Sequence, residues 1–148
     1  MLKKLHAEHM KCSMMNTPKA DVCESLRKSL AAAMNNGSTY VISCGAIPIN
    51  MSTNFKGDDA EKYRYYDVMS WDTTKIFNFE SWRDSSEYMK FVTEDEKVTK
   101  TGAEYVMQEA FQMVILCNYT NEKQMQDLVN EGIPHCKDSF EVYVVIDA

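Results

Sequence analysis

From residue 17 onward, apolar and polar positions alternate in two rhythms, one of 3.6 residues and one of two. Val22, Leu26, Leu30, Ala33 and Met34 recur at spacings of four, four, three and one, which gathers them on one face of a helix. Thr17 before Pro18 reads as an N-cap with proline at the first helical position, and Asn35-Asn36-Gly37 supplies a left-handed stop, so a helix is expected over about 18–36. Its other face, with Lys19, Glu24, Arg27 and Lys28, is expected to meet water.

A β-rich run, Thr39-Tyr-Val-Ile-Ser-Cys44, follows and reads as a buried strand ending near Gly45 and Pro48. From Lys62 to Trp71 the period is two, with Tyr63, Tyr65, Met69 and Trp71 on one side, and Lys75-Ile-Phe-Asn-Phe79 reads as its antiparallel partner. Residues 80–100 fit either a helix or a strand, and Glu94-Asp-Glu96 is expected to be a solvated acidic run. Thr101 with Glu104 has capping-box spacing, and Ala103, Val106, Met107 and Ala110 continue a helix from it.

The last third reads as strand, helix, strand: Phe111 to Cys117, Asn121 to Glu131, and Phe140 to Ile146. The first run also fits the end of a helix. Thr120 is the expected cap, Met125, Leu128 and Val129 the buried face, Gly132 and Pro134 the stop. The expectation is a lead-in at 1–16, poorly ordered or a short helix, and a single α+β domain over 17–148. Its sheet would be mixed or antiparallel, of about four to five strands, with two to four helices packed on it.

Composition narrows the class without naming a function. A 148-residue chain with 45% apolar and 26% charged residues can bury one ordinary core. Five cysteines without tight spacing, after an N-terminus with no unbroken apolar stretch, suggest reduced thiols, a cytoplasmic location and no membrane span. The net charge is −6, and of the 16 basic and 22 acidic residues six and three fall in residues 1–30. Residues 31–148 therefore carry −9, which disfavours nucleic acid and suits a protein partner with a basic surface. A homo-oligomer is compatible with the same composition.

Glycine-rich phosphate loops, a His-Glu-x-x-His helix, Gly-x-Ser-x-Gly and Cys-x-x-Cys are all missing, so no cofactor is expected and binding is favoured over catalysis. His6, His9 and Cys12, spaced at threes, could line one side of a helix as zinc ligands, but a structural zinc site takes four, and a polar arm is the commoner meaning. Cys44 at a strand end, with His135 as base, is the one thiol-nucleophile pairing to weigh, against the commoner role of buried cysteine as a small apolar residue.

The acidic middle of the chain holds the richer candidate surface: Tyr63, Tyr65, Asp67, Trp71, Asp72, Trp82 and Arg83. Aromatic side chains and arginine dominate interface energetics, and an acidic rim suits a basic partner or mimics phosphate. The leading expectation is therefore a small acidic binding or regulatory protein, an inhibitor by charge mimicry being one form of it. The alternatives are a Cys44/His135 pocket enzyme and a nucleic-acid binder using the basic N-terminal segment with Tyr63 to Tyr66.

Overall fold

The computed structural model describes residues 2–4, 17–46, 48, 50, 92–98, 102–133, 136 and 141–143. Two parallel strands form its centre, β2 (Thr39–Gly45) and β3 (Gln112–Cys117), with the three-residue β1 (Leu2–Lys4) on the far side of β2. The order is β1-β2-β3. Helix α1 (Lys19–Asn35) connects β1 to β2, as a parallel pair requires a crossover between its strands. Further along lie a 3-10 turn at Glu94–Glu96, and α2 (Glu122–Asp127), which runs into a π-helical turn at Leu128–Gly132.

The expected mixed or antiparallel sheet of four to five strands is overturned: every strand pairing in the described sheet is parallel, and two α-helices accompany it. Period-two pattern reports only which side chains share a face, and the same run serves either direction. The strands expected over 62–71 and 75–79 lie outside the described residues. Of the strand expected over 140–146, Glu141, Val142 and Tyr143 are described, and they are exposed and outside any strand. Leu2–Lys4, by contrast, falls where only a lead-in was expected. Backbone pairing holds it, with Leu2, Lys3 and Lys4 in register with Val41, Ile42 and Ser43, and such pairing needs no side-chain pattern.

Helix α1 follows its apolar stripe: Val22, Leu26, Leu30, Ala33 and Met34 are all buried. Pro18 rather than Thr17 occupies the N-cap, and its carbonyl accepts from the amides of Asp21 and Val22. At the other end Gly37 is left-handed at φ 62, the Ser38 amide reaches the Ala33 carbonyl, and the Gly37 amide reaches Met34. These are the two hydrogen bonds of a Schellman stop.

The helix expected from Thr101 does not form. Gly102 sits at φ 81, Glu104 bridges antiparallel to Val98, and Tyr105, Val106 and Met107 alternate buried, exposed, buried as an extended segment does. That segment hydrogen-bonds to α1 instead of to itself, the Tyr105 hydroxyl donating to the Ala31 carbonyl and the Gln108 amide to Met34. The capping box that does form lies earlier, between Thr93 and Glu96.

Both readings of Phe111–Cys117 resolve to strand. In the last helix Asn121 rather than Thr120 caps, its side chain accepting from the Lys123 amide at 2.8 Å. Leu128 is buried and Met125 and Val129 half-buried, as expected, and the Ile133 amide closes the π turn onto the Leu128 carbonyl. Tyr40, Ile42 and Cys44 of β2 join α1, Val92, Tyr105, Met107, Phe111, Tyr119, Ile133 and Cys136 in one core.

Candidate functional site

Two constellations among the described residues carry chemistry. The first is built on Arg27. The helix period places it beside Leu26 and Leu30 rather than out in water, so the expectation of a solvated Arg27 is corrected: it is fully buried. It is buried because its charge is matched on both sides. Nε and Nη2 donate to the Glu24 carboxylate at 2.7 and 2.8 Å, and Nη1 and Nη2 donate to Glu96 at 2.8 and 2.9 Å.

Glu96 is in turn held by the Thr93 amide, at 3.1 Å, through the capping box. The acidic run is therefore divided: Glu94 and Asp95 are solvated as expected, whereas Glu96 is half-buried and bound. Burial opposes the Arg27 charge, but hydrogen bonds to Glu24 and Glu96 and the charges of both outweigh it, and the guanidinium is held above its ordinary range. The Arg27 hydrogen bond holds the Glu96 carboxyl below its ordinary range, against the effect of burial. One cation shared by two carboxylates is a tie between α1 and the 93–96 turn. Each of its three nitrogens donates to at least one of those carboxylates, so its chemistry is cohesion rather than turnover.

The second constellation lies at the carboxyl ends of β2 and β3, where parallel α/β sheets display functional side chains. Cys44 is fully buried, and burial pushes its thiol up to about 12, Cys117 adding to the effect. A nucleophilic cysteine requires a lowered pKa, so this position keeps Cys44 protonated at neutral pH. His135, its expected base, lies outside the described residues. Cys117 is exposed, yet its thiol too is raised: burial pushes it up, and the Tyr119 amide, donating to the sulfur, offsets only part of that.

The other expected site residues, Tyr63, Tyr65, Asp67, Trp71, Asp72, Trp82 and Arg83, lie outside the described residues, as do His6, His9 and Cys12. Among the described residues no group of three His, Cys, Asp or Glu is placed to hold a metal ion, and no helix is long and apolar enough to cross a membrane.

Sequence reasoning missed a surface on β3. Its inward positions, Met113 and Ile115, pack against the core, whereas Gln112, Val114 and Leu116 on the other face are exposed, Val114 by 37% and Leu116 by 50%. Parallel sheets are ordinarily covered on both faces, which makes this exposed pair notable. The unbroken apolar run Met113 to Leu116 contained the signal, because a strand buried on one face only would alternate with polar residues.

No protein-family model matches the chain, no curated protein matches it, and no solved structure matches it.

Proposed function

We propose that this chain is a small acidic binding or regulatory protein that docks on a protein partner bearing a basic surface. The observation that carries the reading is the exposed Val114–Leu116 face of β3, an apolar patch on a type of sheet that is normally covered. The charge of −9 on residues 31–148 favours a basic partner by steering its approach. Tyr63, Tyr65, Asp67, Trp71, Asp72, Trp82 and Arg83 are the residue types that would anchor such a contact, and inhibition by phosphate mimicry is the form in which it would regulate. A reducing, cytoplasmic setting fits the odd number of cysteines.

The pocket-enzyme alternative on Cys44 and His135 stands second, because a thiol held up to about 12 is a poor nucleophile at neutral pH. Nucleic-acid binding stands third on the charge balance.

Affinity capture from native cell extract tests the proposal, with wild type, Leu116→Lys and Asp67→Asn/Asp72→Asn baits compared. A basic protein retained by wild type, released by salt and lost with either variant supports it. Equal retention on all three baits would refute it.

A further inference from the structure

The two edges of the described sheet differ. At one, β1 is three residues long and its sequence includes Lys3 and Lys4; short strands and lysines are what proteins use to keep an edge from pairing. At the other, β3 runs for six residues, Gln112–Cys117, without a charge or a proline, and among the described residues it pairs with β2 alone. The Asn118 amide donates to the Gly45 carbonyl at 2.9 Å, towards β2. Backbone groups of successive strand residues point to opposite sides, so those of Gln112, Val114 and Leu116 also serve β2, and those of Met113, Ile115 and Cys117 face the open edge.

The open strand matches itself. From Gln112 to Asn118 its side chains run amide, sulfur, aliphatic, isoleucine, aliphatic, sulfur, amide, with Ile115 at the centre. Turned antiparallel about a two-fold axis at Ile115, a second copy sets Gln112 opposite Asn118, Met113 opposite Cys117, Val114 opposite Leu116 and Ile115 opposite itself. Every such pair lies on one face of the sheet, as opposed residues must. Met113, Ile115 and Cys117, whose backbone groups face the edge, make the hydrogen-bonded pairs, and Val114 with Leu116 makes the closer kind, with Cα atoms about 4.5 Å apart. Each copy carries a net charge of −6, so most ways of bringing two together oppose like charges. The run from Ala110 to Asn121 holds no charged residue, and this edge opposes none.

We propose that two copies of the chain pair through β3, antiparallel about Ile115, into one sheet that runs across both molecules. The contact is isologous: whatever one copy offers at Val114 it receives at Leu116, and the reverse, so it closes on a dimer. Edge pairing satisfies the outward backbone groups of Met113, Ile115 and Cys117, which otherwise offer a template to any extended chain. Val114 and Leu116 of the two copies, exposed in each, then adjoin as one apolar patch of four side chains. The dimer uses the edge of β3 and leaves that face open. It therefore does not depend on the basic partner proposed above, and it widens the surface such a partner would meet.

The test uses the full purified chain in dithiothreitol, which keeps disulfides out, with mass read by analytical ultracentrifugation over a concentration series. Wild type is expected to rise from the mass of one chain to that of two. Two variants at exposed positions then fix the register, with urea unfolding to check that each is folded. Val114→Lys/Leu116→Lys sets lysine opposite lysine on both sides of the axis and should stay a single chain where wild type is paired. Val114→Lys/Leu116→Glu sets each lysine opposite a glutamate of the other copy and should pair. Wild type at the mass of one chain throughout, which leaves the edge to a strand of another protein, would overturn the proposal. So would a dimer that both folded variants keep or both lose. The sample contains no partner, so these outcomes are independent of the capture experiment.

Discussion

Helix α1 and strand β3 flank the same core and meet their surroundings in opposite ways. On α1 even a charge is taken inside: Arg27 is fully buried, and its donors are directed to Glu24 and Glu96. On β3 even apolar side chains are left outside, Val114 and Leu116 among them. A charge costs free energy to bury unless it is paired, and an apolar patch costs free energy to expose. The sealed flank has met its cost with two carboxylates. The open flank has not, which is why the contact surface is proposed there.

Substitutions should separate the two flanks, and the largest effect belongs to the sealed one. Replacing Arg27 by Ala leaves Glu24 and Glu96 facing each other without their cation, a loss of about 3–5 kcal/mol for a buried pair, towards the lower end because both carboxylates keep some exposure. Urea unfolding should show a correspondingly lower midpoint; a loss under about 1 kcal/mol would mean the tie is dispensable.

Next in size is Leu30→Ala, which empties a fully buried position on the same helix and should cost about 2–5 kcal/mol by the same measurement. Gly37→Ala should follow at about 1–2 kcal/mol, because the site is left-handed and a Cβ there would stand 3.1 Å from the Gln108 Cβ and 3.2 Å from that of Ala110. A neutral effect on thermal unfolding would show that the turn relaxes freely.

Acid provides a graded version of the Arg27 experiment. The folded Glu96 carboxyl lies below its ordinary range, so on acidification the unfolded chain takes up that proton first. The stabilisation is complete above the unfolded value of about 4.3 and is lost as pH falls from there through the folded value. Glu96→Gln should therefore flatten the acid limb of the stability curve, and an unchanged limb would assign acid sensitivity to other carboxylates.

How much was legible follows from what each region depends on. The stripe and stop of α1 were readable because helix period and a left-handed glycine are local properties. Arg27 was misplaced because its burial depends on Glu96, 69 residues away, which no periodicity reports. Thr101-x-x-Glu104 promised a helix, but hydrogen bonds from Tyr105 and Gln108 to α1 carbonyls won the segment for extended structure. The direction of the sheet was illegible because Tyr40, Ile42 and Cys44 alternate alike whether the neighbouring strand is parallel or antiparallel. For the candidate site, the sequence exposed Cys44 as a strand-end thiol but not its seal or its neighbour: Cys117 enters through a register set between strands.

The smallest expected effect on stability is also the most direct test of the contrast. Leu116→Lys places a charge on the open face of β3, where surface substitution should move urea unfolding by no more than about 0.5 kcal/mol. Unfolding and partner capture would be read on the same preparation. The expected result is an unchanged unfolding curve with capture abolished; a large loss of stability, or capture retained in full, would contradict the division into a sealed flank that holds the fold and an open one that meets the partner.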